Sequence, residues 1–176
     1  MSAAASLGVS RRADRVRWPL FASLAAAVFV ADQVTKAALT GALGPGESVP
    51  VLGDLLRLIH GQNTGALFGL FRENAALFAV ASVAVVGLIV WYQAKAGGSR
   101  LISVGLGLLL GGALGNFLDR VRFGYVVDFV DAGIGTLRWY TFNVADASIS
   151  IAILILVLVA IRPGLAGPAG DGDSDG

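Results

Sequence analysis

The 176-residue chain is 56% hydrophobic and 14% charged, with a mean hydropathy of +0.76, too apolar and too sparsely charged for a soluble domain of this length. It has no cysteine and a single histidine, His60, which excludes disulfides, thiolate ligation, a cysteine nucleophile and a His-rich metal centre. Its net charge of +1 carries no signal for nucleic acid; no nucleic-acid partner, metal or cofactor is expected.

Residues 1–17 form a basic segment, with Arg11, Arg12, Arg15 and Arg17 ahead of the apolar run Trp18–Leu39. A signal peptide begins in the same way, but this run is long and holds Asp32 and Lys36 near its end, so it reads as a retained first transmembrane helix. Asp32 and Lys36 are spaced i,i+4, as in a simple helix ion pair. In Gly46–Ile59, the stretches Val49–Val51 and Leu55–Ile59 suggest short strands on the membrane surface. His60 reads as an ordinary loop residue, and Asn63 is placed in the same connection. Leu67, Phe68, Leu70 and Phe71 suggest a segment dipping into the interface. A second crossing follows at Ala75–Tyr92, then a turn at Ala94–Arg100 and a third crossing at Leu101–Leu118.

On the third helix, Gly107, Gly111 and Gly115 make two overlapping small-xxx-small steps, with Gly105 and Gly112 adding thin surface for close packing of neighbouring backbones. Asn116, Asp119 and Arg120 end it; Arg120 also suits a headgroup anchor, and Asp119 is expected to act through local structure. Asp128 is placed in the following loop. Alternation in Thr136–Phe142 suggests another surface strand. Asn143 then reads as an N-cap with Asp146 in the first turn of the fourth crossing, Ala145–Ile161. Residues 162–176 read as a polar, disordered tail.

The expected fold is therefore mainly α, a polytopic membrane protein of four transmembrane helices over residues 18–161 with small extracytoplasmic β and loop elements. The basic residues before the first crossing, between the second and third, and after the fourth favour N-in and C-in. Four crossings bring Asp32, Lys36, Asn63, Asn116, Arg120, Asp128, Asn143 and Asp146 to one membrane face. Carboxylates near hydrocarbon are costly, which marks Asp128 and Asp146 as functional candidates. Ionisable groups in such a setting also suit an ion- or proton-translocating subunit, although a path would place them near the midplane and on both sides. Lys36 with Ser48 is a remote candidate for a Ser/Lys hydrolase.

Five motifs occur in the order and spacing found in lipoprotein signal peptidase, also called signal peptidase II. They are Asp32–Lys36 (DQVTK), Asn63–Phe68 (NTGALF), Gly111–Arg120 (GGALGNFLDR), Gly124–Phe129 (GYVVDF) and Phe142–Asp146 (FNVAD). The chain resembles that family from about Trp18 to Ile161. Leu67 stands where the family has a smaller residue, and Ala147 where a small hydroxyl residue is usual. The resemblance implies an aspartic endopeptidase of the bacterial inner or plasma membrane, active at the extracytoplasmic face. It implies cleavage before the lipidated cysteine of diacylglyceryl-modified prolipoproteins. Asp128 and Asp146 would be the catalytic pair. Asn63, Asn116, Arg120 and Asn143 would line the substrate cleft, with Asp32, Lys36, Gly112 and Ala145 in support. Membrane lipids are the other expected partners, and a monomer is expected to suffice.

Overall fold

The computed structural model describes residues 16–64, 75–95 and 98–166, the side chains of 75–79 excepted. Its helices are α1 (Trp18–Ala42), α2 (Ala75–Lys95), α3 (Arg100–Phe123) and α4 (Val144–Ile161). Helices α1, α3 and α4 are each long and apolar enough to cross a membrane, while the described apolar part of α2 is Val80–Lys95. At 1.5 Å per residue, the 24 residues of α3 span roughly 36 Å, enough for a hydrocarbon core of about 30 Å.

Helix α3 is the hub and packs against α1, α2 and α4. Its glycines explain how. A Cβ on Gly107 would come within 2.8 Å of the Phe21 carbonyl oxygen, and one on Gly111 within 2.6 Å of that of Ala25, both on α1. Gly105 and Gly112 instead face α4, where a Cβ on Gly112 would meet the Ala145 carbonyl oxygen at 2.6 Å. Two glycine rows thus serve two neighbours, as the small-residue pattern leads one to expect. Phe21, Ala25, Ile89, Leu106 and Leu110 form the buried apolar cluster between α1, α2 and α3. Ser99 caps the start of α3 through the Ile102 N–H, and Gly124 ends it at φ +77°, a left-handed conformation suited to glycine.

One end of the bundle is tied together by Arg17, whose Nε donates to the Gly98 carbonyl at 2.6 Å, joining the start of α1 to the α2–α3 turn. The other end carries an antiparallel sheet in the order β1 (Ser48–Leu52), β2 (Leu56–Asn63), β3 (Val126–Ile134), β4 (Leu137–Arg138). At its edge, Arg138 pairs with Asp131 and bonds the Asp54 carbonyl, and Arg57 pairs with Asp54, fastening β2, β3 and β4 at the surface.

Several expectations change. Asn63 and Asp128 lie on paired strands, not in loops, with Asn63 opposite Val126 and Asp128 opposite Gly61. The β-branched run Val126–Val127 beside Phe129 is buried, so the acid-bearing motif sits in the sheet core. His60 is likewise a buried β2 residue, with Nδ1 2.9 Å from the Leu43 carbonyl oxygen. The expected strand at Thr136–Phe142 is reduced to Leu137–Arg138 and a bridge from Phe142 to Val130. Pro163–Ala166, assigned to the tail, form a 3₁₀ turn. The Leu67–Phe71 interface segment and the tail beyond Ala166 lie outside the described residues.

Candidate active site

The segments carrying the acids meet where α1, α3 and α4 approach the sheet. Asp146 lies in the first turn of α4, inside a reciprocal capping box: Asn143 Oδ1 accepts from Asp146 N at 2.9 Å, and Asp146 Oδ2 accepts from Asn143 N at 3.3 Å. Asp146 Oδ1 also accepts from Asn116 Nδ2 at 2.8 Å. The cap therefore fixes the side chain whose remaining oxygen is held by α3. Cap and candidate acid are the same residue, so the two readings made of Asp146 do not compete.

Asp128 is buried on β3, where Asn63 Nδ2 donates to its Oδ2 at 2.9 Å and Asn143 Nδ2 to its Oδ1 at 2.7 Å. Asn143 thus serves both acids, capping one and donating to the other. Burial pushes Asp128 from the ordinary carboxylate range up to about 7, and the nearby Asp146 charge adds to the rise. The Asn63 amide, the Lys36 ammonium and the Asn143 amide act in the opposite direction. Arg120 Nη1 donates to the Asn116 carbonyl at 3.1 Å, and its charge is within electrostatic reach of Asp146, Asp128 and Asp119.

Beneath the acids is a buried ionic network. Lys36 Nζ lies 2.8 Å from Asp32 Oδ2, 2.7 Å from Asp119 Oδ2 and 3.0 Å from Asn116 Oδ1, which satisfies all three ammonium donors. Asp32 Oδ1 accepts the Ala145 N–H at 2.9 Å, and Asp119 Oδ2 accepts the Val127 N–H at 3.1 Å. Gln33 Nε2 bridges the same two carboxylates, at 3.2 Å to Asp32 and 3.1 Å to Asp119. Such a network is held mainly by mutual satisfaction, because removing one member leaves a buried charge unpaired.

Asp128, Asp146, Asn63, Asn116 and Asn143 therefore form one hydrogen-bonded group, with Asp32 and Lys36 attached to it through Asn116 and Ala145. Gly112 and Ala145 contribute backbone: the bare Gly112 surface admits the Ala145 carbonyl, and Ala145 is fully buried. The Ser/Lys alternative fails, since Lys36 is committed to Asp32, Asp119 and Asn116 while Ser48 is exposed at the start of β1. Asp119 and Gln33 hold more of the site than their sequence positions suggested. The available signal for Asp119 was its i,i+3 spacing from Asn116, which puts both on one helix face.

A helical bundle built to cross a membrane, with two buried carboxylates joined through Asn143 where one end meets a small sheet, defines a multi-pass membrane protein with a candidate acid site. Residues 24–162 match the family model for signal peptidase (SPase) II. The lipoprotein signal peptidase of Halothermothrix orenii is 40% identical over 122 residues, 69% of this chain and 81% of that protein. That of Geobacillus kaustophilus is 44% identical over 128 residues, 72% and 83% of the two chains. A bacterial membrane enzyme solved by the in meso method at 2.3 Å resolution has a TM-score of 0.80 and 27% identity, covering 92% of this chain and 99% of that one. This chain belongs to the signal peptidase II family and is a membrane peptidase.

Proposed function

We propose that this chain is an aspartic endopeptidase that removes the signal peptide from diacylglyceryl-modified prolipoproteins, cutting before the lipidated cysteine. The observation that carries the reading is the Asn143 bridge, whose side-chain amide donates to the Asp128 carboxylate and whose backbone N–H donates to the Asp146 carboxylate, so that the two are held as one unit. Two such acids share a proton. The ionised member takes a proton from water as its oxygen attacks the scissile carbonyl carbon, and the protonated member donates to the carbonyl oxygen. Collapse of the resulting diol breaks the C–N bond, with a proton delivered to the departing nitrogen. Asn63, Asn116 and Arg120 line the cleft that receives the substrate backbone.

Arg17, Lys95, Arg100 and Arg162 lie at the end away from the sheet, and Arg57, Arg120, Arg122 and Arg138 at the sheet end, so the arginine cluster ahead of the first crossing decides the orientation. That cluster supports both termini being cytoplasmic and the sheet outside, in four crossings with α2 the fourth spanning helix. Separately, every acid among the described residues lies toward the sheet end. The one-sided acids disfavour an ion path, which needs ionisable groups through the membrane. Exposed Val51, Leu52, Ile134, Leu137 and Trp139 suit a sheet lying in the interface. In the cysteine-free background, Thr136→Cys is expected to react with an impermeant thiol reagent in right-side-out vesicles while Lys95→Cys does not. The opposite pattern would invert the orientation.

The pH dependence follows from Asp128. Because burial keeps it protonated where a free aspartate is ionised, the one-proton form persists to near neutrality. The predicted kcat/KM declines as pH rises through about 7; a rate unchanged from about pH 6 to about pH 9 would contradict a shared proton.

The proposed activity is tested with the purified protein and one prolipoprotein prepared with and without its diacylglyceryl group. Acyl burial contributes about 0.8 kcal/mol per CH₂ and fixes the depth of the scissile bond. Cleavage of the lipidated form alone is expected. Equal cleavage of both would remove the lipid from the recognition scheme.

A further inference from the structure

We infer that Lys36 is a positioning residue for the acid pair, its one ammonium tying together the two buried carboxylates that hold the backbone immediately before Asp128 and before Asp146. The inference rests on the aspartic reading above.

The two halves of the arrangement have the same logic. Asp119 on α3 accepts the N–H of Val127, the residue preceding Asp128, and Asp32 on α1 accepts the N–H of Ala145, the residue preceding Asp146. The acids arrive on different elements, a strand and a helix start, whose backbones pair through Phe142 with Phe129 and Val130. The two carboxylates hold Val127, on the other side of Asp128, and Ala145, directly before Asp146. Lys36 lies between the two supporting carboxylates at 2.8 Å and 2.7 Å, and its third donor reaches Asn116, which itself donates to Asp146. Asp32, Lys36 and Asp119 are 0%, 4% and 0% exposed, so the contacts are shielded from solvent. Gln33 spans the same carboxylates but carries no charge, and cannot offset the repulsion between them.

Electrostatics give the arrangement a second effect. Among the described residues, the charged groups around the pair are Asp32 and Lys36 from α1, Asp119 and Arg120 from α3 and Asp146 from α4, with Asp128 on β3. From β2 the pair receives the neutral Asn63, while His60 is turned to the Leu43 carbonyl. Asp131 on β3 is neutralised by Arg138. The formal charges of Asp32, Lys36 and Asp119 sum to −1; without the ammonium the sum becomes −2 directly under the dyad.

Three variants separate geometry from charge. Lys36→Met removes both and is expected to lower kcat about 10²-fold, the scale of a 1 Å misplacement, with KM changed less than about threefold. Both limbs of its pH–rate profile should move upward, by about one unit, because carboxylates ionise less readily without the neighbouring cation. Lys36→Met/Asp119→Asn restores the net charge of −1, so its limbs should return toward wild type while kcat stays low. Lys36→Arg keeps the cation but not the compact three-donor geometry; it should keep the wild-type limbs with a reduced kcat. The last two variants carry the test should Lys36→Met fail to fold. Folded variants with wild-type kcat, or a lowered kcat with the pH limbs of Lys36→Met unmoved, would overturn the inference. An Asp128→Asn control separates the two levels: if it is inactive while the Lys36 variants behave as wild type, only the role of Lys36 falls. If Asp128→Asn turns over, the aspartic reading falls as well.

Discussion

Purified Asp128→Asn and Asp146→Asn proteins are each expected to lose turnover by at least about 10³-fold while remaining folded and inserted, since proton transfer by a positioned side chain contributes on the order of 10²–10⁴-fold. An amide fills the carboxylate's volume and keeps one acceptor oxygen, so the contacts with Asn63, Asn116 and Asn143 are largely preserved. What is lost is the ability to take and return a proton. The double variant should be little worse than either single one, because residues acting as a unit lose their effect together. Turnover kinetics with a thermal melt in detergent check both statements. Multiplicative losses would mean that the acids act independently.

Nearly as large an effect is expected at Asn143, whose side-chain amide donates to the Asp128 carboxylate and accepts the Asp146 backbone N–H. Asn143→Ala removes the helix cap, costing about 1 kcal/mol in stability, and also removes the donor to Asp128. Asn143→Ser separates these roles, because a serine hydroxyl caps a helix well but is too short to replace the Nδ2 contact made at 2.7 Å. It also loses the Nδ2 bonds to the Val127 carbonyl and Asn116. Its melting temperature should therefore fall, but less than that of Asn143→Ala, while kcat falls about 10²-fold in both, as for loss of an oriented donor in a buried site. Wild-type turnover in Asn143→Ser would restrict the residue to capping.

The helical part of this fold was legible because spanning a bilayer imposes a length and a composition that few other structures satisfy. Trp18–Leu39, Leu101–Leu118 and Ala145–Ile161 were each recovered within a longer or nearly coincident helix, and the glycine pattern named the packing face of α3. The sheet was less legible. Val126–Ile134 carries two acids within an otherwise apolar, β-branched stretch, and its pairing with Leu56–Asn63 joins segments more than 60 residues apart, which local periodicity does not encode.

At the site, topology alone brought the acids to one end of the bundle, and the five motifs supplied the asparagines. What stayed hidden was connectivity. Nothing local distinguishes Gln33 as a bridge between Asp32 and Asp119, or reveals that those two carboxylates hold the backbone before each member of the pair. Asp119 looked like a residue of local structure, and its contacts instead run to Lys36 on α1 and Val127 on β3. Such links depend on three-dimensional approach between elements, which a linear pattern constrains only after the fold is known.

The central claim is tested most directly by the intact masses of the products when purified wild-type protein meets a diacylglyceryl-modified prolipoprotein. The account predicts two fragments, a free signal peptide and a mature chain beginning at the lipidated cysteine, with neither formed by Asp128→Asn or Asp146→Asn. Cleavage at another bond, or the same two fragments from either aspartate variant, would contradict it.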